Sequence, residues 1–207
     1  MKLYVHPLSG NSRRALLVAH HLDVPLERIV VDLTKGEQRT PPHLARNPNG
    51  LVPVLEDDGL MLWESRAIMQ YLAEKTPGQT LLPSEPRARA EVNRWLFWCA
   101  GHMQPAAGIL VRERFVKTLK GEVADDVEIA RGERLFAQTA PILDQHLAGR
   151  TWVAQDHLTL ADFSLAASFA LAGPARLPIA DCPHLRAWLG RVQELEAWQR
   201  TAPPPRA

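Results

Sequence analysis

Cysteine is scarce in this chain. Its 207 residues hold only Cys99 and Cys182, too far apart for the short spacings that bind zinc or run dithiol exchange. That excludes a disulfide-stapled scaffold and leaves both as expected buried thiols of a cytoplasmic protein. The eight histidines form no HxxxH or HExxH pattern, so no metal is expected. No apolar run approaches the ~20 residues that span a bilayer. The opening MKLYVHPLSG lacks the apolar core and small-residue cleavage site of a signal peptide, so none is expected. A charge excess is missing too. With 24 Lys and Arg against 23 Asp and Glu the net charge is +1, which favours neither nucleic acid nor an anionic membrane as partner. There is no internal repeat, and no low-complexity block beyond the end APPPRA, which is expected to fray.

Proline, by contrast, is plentiful and marks the boundaries. The stretch PGQTLLPSEP separates two textures, giving expected domains at 1–77 and 87–207 with a linker at 78–86. Before it, short β-prone runs (Lys2–Val5, Arg28–Val31, Leu51–Glu56, Leu60–Leu62) alternate with helical spacing over Arg13–Leu22 and Ser65–Glu74. Asp57-Asp58-Gly59 is a hairpin turn signal. The order implies a mixed sheet with helices, α/β in class. After the linker the pattern is helical: Glu91–Leu119, Asp125–Leu147, Phe163–Leu171 and Pro183–Leu195. Pro105 and Pro141 are expected to kink the first two. Thr159-Leu160-Ala161-Asp162 reads as a capping box.

Two stretches carry chemistry. The first is His6-Pro7-Leu8-Ser9-Gly10-Asn11-Ser12-Arg13-Arg14, between a strand and a helix. Hydroxyls and free N–H groups at such a turn make an anion site, although taken alone helix capping by Ser9, Asn11 or Ser12 is the simpler account of them. Arg13 and Arg14 oppose the helix dipole there, which calls for a partner carboxylate. The second is RNPNGLVPVLEDDGLMLWESRAIMQYL, from Arg46 to Leu72. It holds a turn, an X-Pro step, a hairpin and an acid-Ser helix start. Those parts can hold an extended peptide against a sheet edge and grip its charged end.

Together NPNGLVPVLED, WESRAIMQYLAEK, HPLSGNSRRALL and TLADFSLAA resemble the glutathione S-transferase family over nearly the whole chain. The match is nearest the serine-type, phi- and theta-like branch that includes many bacterial members. The resemblance implies a thioredoxin-like N-terminal domain with a mixed four-stranded sheet, then an all-α C-terminal domain. It implies a cytoplasmic, homodimeric detoxification enzyme that takes glutathione as co-substrate, without a metal, and a small electrophile. Ser9 would donate a hydrogen bond to the glutathione sulfur, with Asn11 and Ser12 as further donors. Leu51, Val52 and Pro53 would pair with the cysteinyl backbone through a cis Val52-Pro53 bond, where local chemistry alone favours trans. Glu64 would meet the γ-glutamyl ammonium and Ser65 its carboxylate. Gln38 and Arg39 stand where many members carry His-Lys for the glycine carboxylate, with His43 as a rival. Leu8, His102, Met103, Arg112 and Phe115 are candidates for the second substrate, and Arg66 for a dimer contact. A glutathione-dependent reductase, peroxidase or dehalogenase on the same fold, or a non-catalytic binding or interaction module, stays open.

Overall fold

The computed structural model describes residues 1–203; the end of the tail expected to fray lies outside them. The chain divides into two compact units, one of residues 1–82 and 194–207, the other of residues 83–193. The C-terminal segment groups with the first unit rather than with the helices that precede it.

The first unit is built on β1 (Lys2–Val5), β2 (Glu27–Val30), β3 (Val54–Asp57) and β4 (Leu60–Trp63), in the order β2-β1-β3-β4. β1 and β2 are parallel, and the two later pairings are antiparallel. The thioredoxin-like expectation of a mixed four-stranded sheet is met. β3 and β4 turn at Asp58 and Gly59, both with positive φ (45° and 83°), as a tight hairpin demands. Helices α1 (Gly10–His21) and α3 (Ser65–Lys75) pack against each other, and α3 against β3 and β4. Their apolar residues Leu16, Leu17, Ile68, Met69 and Leu72 are buried, the face that the helical spacing gives. A smaller cluster joins Tyr4, Val31, Val52 and Val54. A short helix, α2 (Pro41–Arg46), precedes β3.

The second unit opens with α4 (Pro86–Trp98), whose N-cap Glu85 accepts from the N–H groups of Arg87 and Ala88. The helix continues through a π-helical turn at Cys99–Met103, α5 (Gln104–Val111), a second π turn at Arg112–Val116 and α6 (Lys117–Lys120). Pro105 does not break the helix. It follows a π turn, the local widening that accommodates a missing N–H. Helix α7 (Asp126–Leu147) likewise runs on through Pro141. Then come α8 (Leu160–Ala166), a 3-10 turn at Ala167–Phe169 and α9 (Pro183–Glu194). Phe136, Phe163, Phe169 and Trp188 fill the core.

Gly132 is where α7 meets α5. A Cβ there would lie 2.9 Å from both Ile109 Cγ2 and Leu110 Cδ2. Alanine is the better helix former, yet Gly132→Ala is expected to lower stability by about 1–3 kcal/mol through overpacking. Chemical denaturation measures it; a gain in stability would mean the two helices part at no cost.

Candidate functional site

Sheet topology gathers the chemical segments at one end of the first unit. The loop Leu8–Ser9 leaves β1 at that end. β2, parallel to β1, delivers the chain after Val31 there, with Val31 N–H donating to the Val5 carbonyl (2.8 Å). β3 enters there and β4 exits there, since their register pairs Val54 with Trp63. Val52-Pro53 and Glu64-Ser65 are therefore neighbours across the open end of the hairpin.

Ser9 is the N-cap of α1. Its Oγ accepts from Ser12 N–H at 3.2 Å. The capping and donor roles are compatible, because a hydroxyl that accepts through oxygen still has its proton to give. Ser12 has turned the other way. It is fully buried, and its Oγ accepts from His6 N–H at 3.1 Å. Asn11 Oδ1 accepts from Arg14 Nη1. His6 Nδ1 lies 3.3 Å from the Leu8 N–H; burial pushes the ring below the usual histidine range, which suits an accepting, unprotonated Nδ1.

Arg13, one turn behind Ser9, corrects an expectation. No carboxylate among the described residues pairs with it. Its guanidinium lies 3.7 Å from the centre of the Trp198 ring and donates to the Trp198 carbonyl (2.9 Å) and Thr201 Oγ1 (3.3 Å). Trp198 lies within α10 (Glu196–Arg200) and Thr201 caps its C-terminus, which explains why the C-terminal segment groups with the first unit. Burial lowers Arg13 to about 10, so it stays charged at neutral pH.

The Val52-Pro53 bond is cis. The Leu51 carbonyl before it is held twice, by His43 Nε2 at 3.0 Å and Asn47 Nδ2 at 2.9 Å. His43 is buried, which removes it as a rival for an outside carboxylate. Its role, and that of Asn47, is to fix the turn, and neither has a motif that announces it. No hydrogen bond among the described residues takes up the Val52 backbone.

Glu64 is an N-cap by position only. Its side chain makes no capping bond, and its φ is 74°. A non-glycine residue there carries strain of ~1–3 kcal/mol, a cost that clusters at ligand clamps. Its carboxylate is exposed, with no ion pair among the described residues. Ser65 opens α3 and is buried; its N–H and hydroxyl likewise lack a partner among the described residues. Gln38 Oε1 is closed off from solvent without a partner. Arg39 is exposed and lies over the turn, its Nη1 and Cδ 3.1 Å from where a Gly50 Cβ would stand. Leu51 is exposed.

The second-substrate candidates are divided. Leu8 is half-buried in the first unit. In the second, His102 and Arg112 are exposed, whereas Met103 and Phe115 are 0% and 5% exposed. The latter two, candidates to touch the second substrate, lie in the core on the inner face of the long helix.

Comparison with known proteins decides the family. Residues 1–74 match the family model "Glutathione S-transferase, N-terminal domain" and residues 126–191 the model "Glutathione S-transferase, C-terminal domain". The chain belongs to the glutathione S-transferase family. This transferase is 36% identical to glutathione S-transferase 3 of Zea mays over 99% of its own length and 96% of the relative's. It is 35% identical to glutathione S-transferase F10 of Arabidopsis thaliana, over 95% and 94%. Among solved structures, glutathione transferase F7 of Populus trichocarpa superposes with a TM-score of 0.89 at 32% identity, over 97% of each chain. The phi-like part of the resemblance is thus borne out, as is the thioredoxin-like domain followed by a helical one. Among the described residues of the transferase, no helix is long and apolar enough to cross a membrane.

Proposed function

We propose that this transferase adds the thiolate of glutathione to small electrophiles, and that the first unit holds the tripeptide end to end. A solved relative, glutathione S-transferase-I with lactoylglutathione bound, supports the ligand class (TM-score 0.87, 26% identity). The observation that carries the reading is Glu64-Ser65: a strained, unpartnered acid beside an uncapped helix start, next to a Val52 backbone with no partner of its own. An α-amino acid head fits both, with ammonium to Glu64 and carboxylate to Ser65 and the helix N-terminus. The cysteinyl backbone adds to the sheet edge at Val52, with Leu51 and Pro53 on either side. Ser9 donates to the sulfur. The hydroxyl of Ser12 is turned inward onto the His6 N–H, and Asn11, whose Oδ1 accepts from Arg14, is the runner-up donor.

The glycine carboxylate falls to Gln38 and Arg39. An amide oxygen cannot hold a carboxylate, but the amide turned over presents its NH2 at the same point. Arg39 supplies charge in a fork. Calorimetric titration tests the head and the tail separately. Glu64→Gln is expected to weaken glutathione binding by about tenfold or more, the scale of one charge-assisted contact. Arg39→Ala is expected to weaken it by a few-fold, because the group is exposed. Neither variant should move the pKa of the bound thiol. Unchanged affinity in Glu64→Gln would overturn the assigned grip.

Leu8, His102 and Arg112 have surface to offer an electrophile. We also propose a homodimer: Leu60, Met61 and Trp63 of β4 and Phe97 of α4 expose apolar surface that a second copy would cover, with Arg66 just after β4 in sequence. The chain carries no cysteine at Ser9 or Ser12, and Cys99 and Cys182 are buried, so conjugation is favoured over dithiol exchange.

A further inference from the structure

We propose that the helical unit carries a second site, for a phosphate group, built from Arg150, His184 and Arg191. It is independent of the glutathione reading, whose residues Ser9 to Ser65 all lie in the other unit. After α7, Gly149 adopts φ 74° and turns the chain into Arg150 and Thr151. Arg191, from α9, donates through Nη2 to the carbonyls of both, at 3.3 and 3.1 Å. That clip fixes the guanidinium plane against the turn. Its Nε is closed off from solvent and has no acceptor, an uncompensated donor of a kind that native structures rarely leave. Between the turn and α9 is a cavity of about 300 Å³, also lined by His184 from the first turn of α9.

Charge distinguishes this cavity. Three basic side chains line it and no carboxylate does. Elsewhere in the unit, Arg114, Lys117 and Arg131 each sit on a glutamate. Here the guanidinium of Arg150 and the ring of His184 are exposed, and neither has a hydrogen-bond or ion-pair partner among the described residues. The Asp144 carboxylate accepts the Leu185 N–H at 2.8 Å. It occupies the start of α9, so the positive character of the cavity comes from side chains. The guanidinium fork of Arg150, the fixed positive charge of Arg191 and an imidazole line one space and match the oxygens of a phosphate dianion. The volume is at the small end for ligand pockets, ~300–1,000 Å³. It suits a phosphate group, free or on a short substituent.

The test is calorimetry on the full chain, saturated with glutathione to cover that site, at constant ionic strength. Inorganic phosphate and glycerol phosphate are titrated in separate runs. One saturable event per chain is expected. It should weaken by about tenfold or more in the double variant Arg150→Ala, His184→Ala, with glutathione affinity and thermal midpoint unchanged. Because both side chains are exposed, that variant folds independently of the clip; Arg191→Lys, which keeps charge but loses the clip that fixes its position, is expected to weaken binding as well. Tighter binding of glycerol phosphate identifies a phosphorylated small molecule as the ligand, and equal or weaker binding identifies free phosphate. No saturation with either, or binding indifferent to the double variant, overturns the proposal.

Discussion

Ser9→Ala is expected to move the pH profile of turnover while glutathione still binds. A free thiol has a pKa of ~8.5 and is only a few per cent ionised at neutral pH. Lowering it to roughly 6.5 needs about 2.7 kcal/mol of preferential thiolate stabilisation, within reach of a hydrogen bond to a charged group (~1.5–3 kcal/mol) and the α1 dipole. Loss of the hydroxyl returns the thiol toward its free value. At pH ~6.5 the ionised fraction then falls about 50-fold. The more basic thiolate is a better nucleophile by about eightfold, on a Brønsted slope of ~0.4–0.5, so the net deficit is about sixfold. The deficit should shrink as pH rises, because the mutant thiol ionises late. Any acceleration beyond this comes from holding the electrophile near the sulfur. Turnover measured from pH 6 to 9, beside the ultraviolet thiolate absorbance of the complex, reads both effects. A pH-independent loss with an unshifted thiol would remove Ser9 from the chemistry and leave it as the cap of α1.

Asp162→Ala is expected to be the most damaging single change outside the site. The carboxylate is completely buried at the start of α8. Oδ1 accepts from Val153 N–H and Trp188 Nε1, both at 2.9 Å, and Oδ2 from Thr159 N–H (2.9 Å) and Thr159 Oγ1 (3.0 Å). Burial pushes its pKa above the usual carboxylate range, while these bonds pull it back. The side chain ties three segments of the helical unit together, since Val153 precedes α8 and Trp188 lies on α9. Alanine would strand buried donors in the loop, the cap and the indole. A loss of about 3–5 kcal/mol is expected, since each buried unsatisfied group costs ~1–3 kcal/mol. Asp162→Asn should recover only part, because its NH2 must face donors. Denaturant unfolding measures it, and a loss below about 1 kcal/mol would mean that water or neighbours satisfy those groups.

The Asp162 box was legible because capping is local: four consecutive residues specify donor and acceptor. So was the hairpin at Asp58-Gly59, where two positive φ values need that chemistry. The cis bond at Val52-Pro53 was legible only through the family resemblance, since nothing within the dipeptide outweighs the trans preference. Long-range partners left no trace. The charge of Arg13 called for an acid, and the fold answers with the Trp198 ring and two oxygens nearly two hundred residues away. His43 reads as a rival for the glycine carboxylate from its sequence position, but the turn places it inside, on the Leu51 carbonyl. Met103 and Phe115 were read as pocket because helical spacing finds a face but not which neighbour covers it. The grip at Glu64-Ser65 was legible as a pair of residue types; the strain at Glu64 was not.

Proton release on glutathione binding tests the central claim most directly. It is read from calorimetric titrations in buffers of different ionisation enthalpy at neutral pH. Free glutathione is almost wholly protonated at sulfur there, whereas a bound thiol with a pKa near 6.5 is about three-quarters ionised. The account predicts saturable binding with about 0.7 proton released per chain. Binding without proton release, or no binding at all, would contradict it.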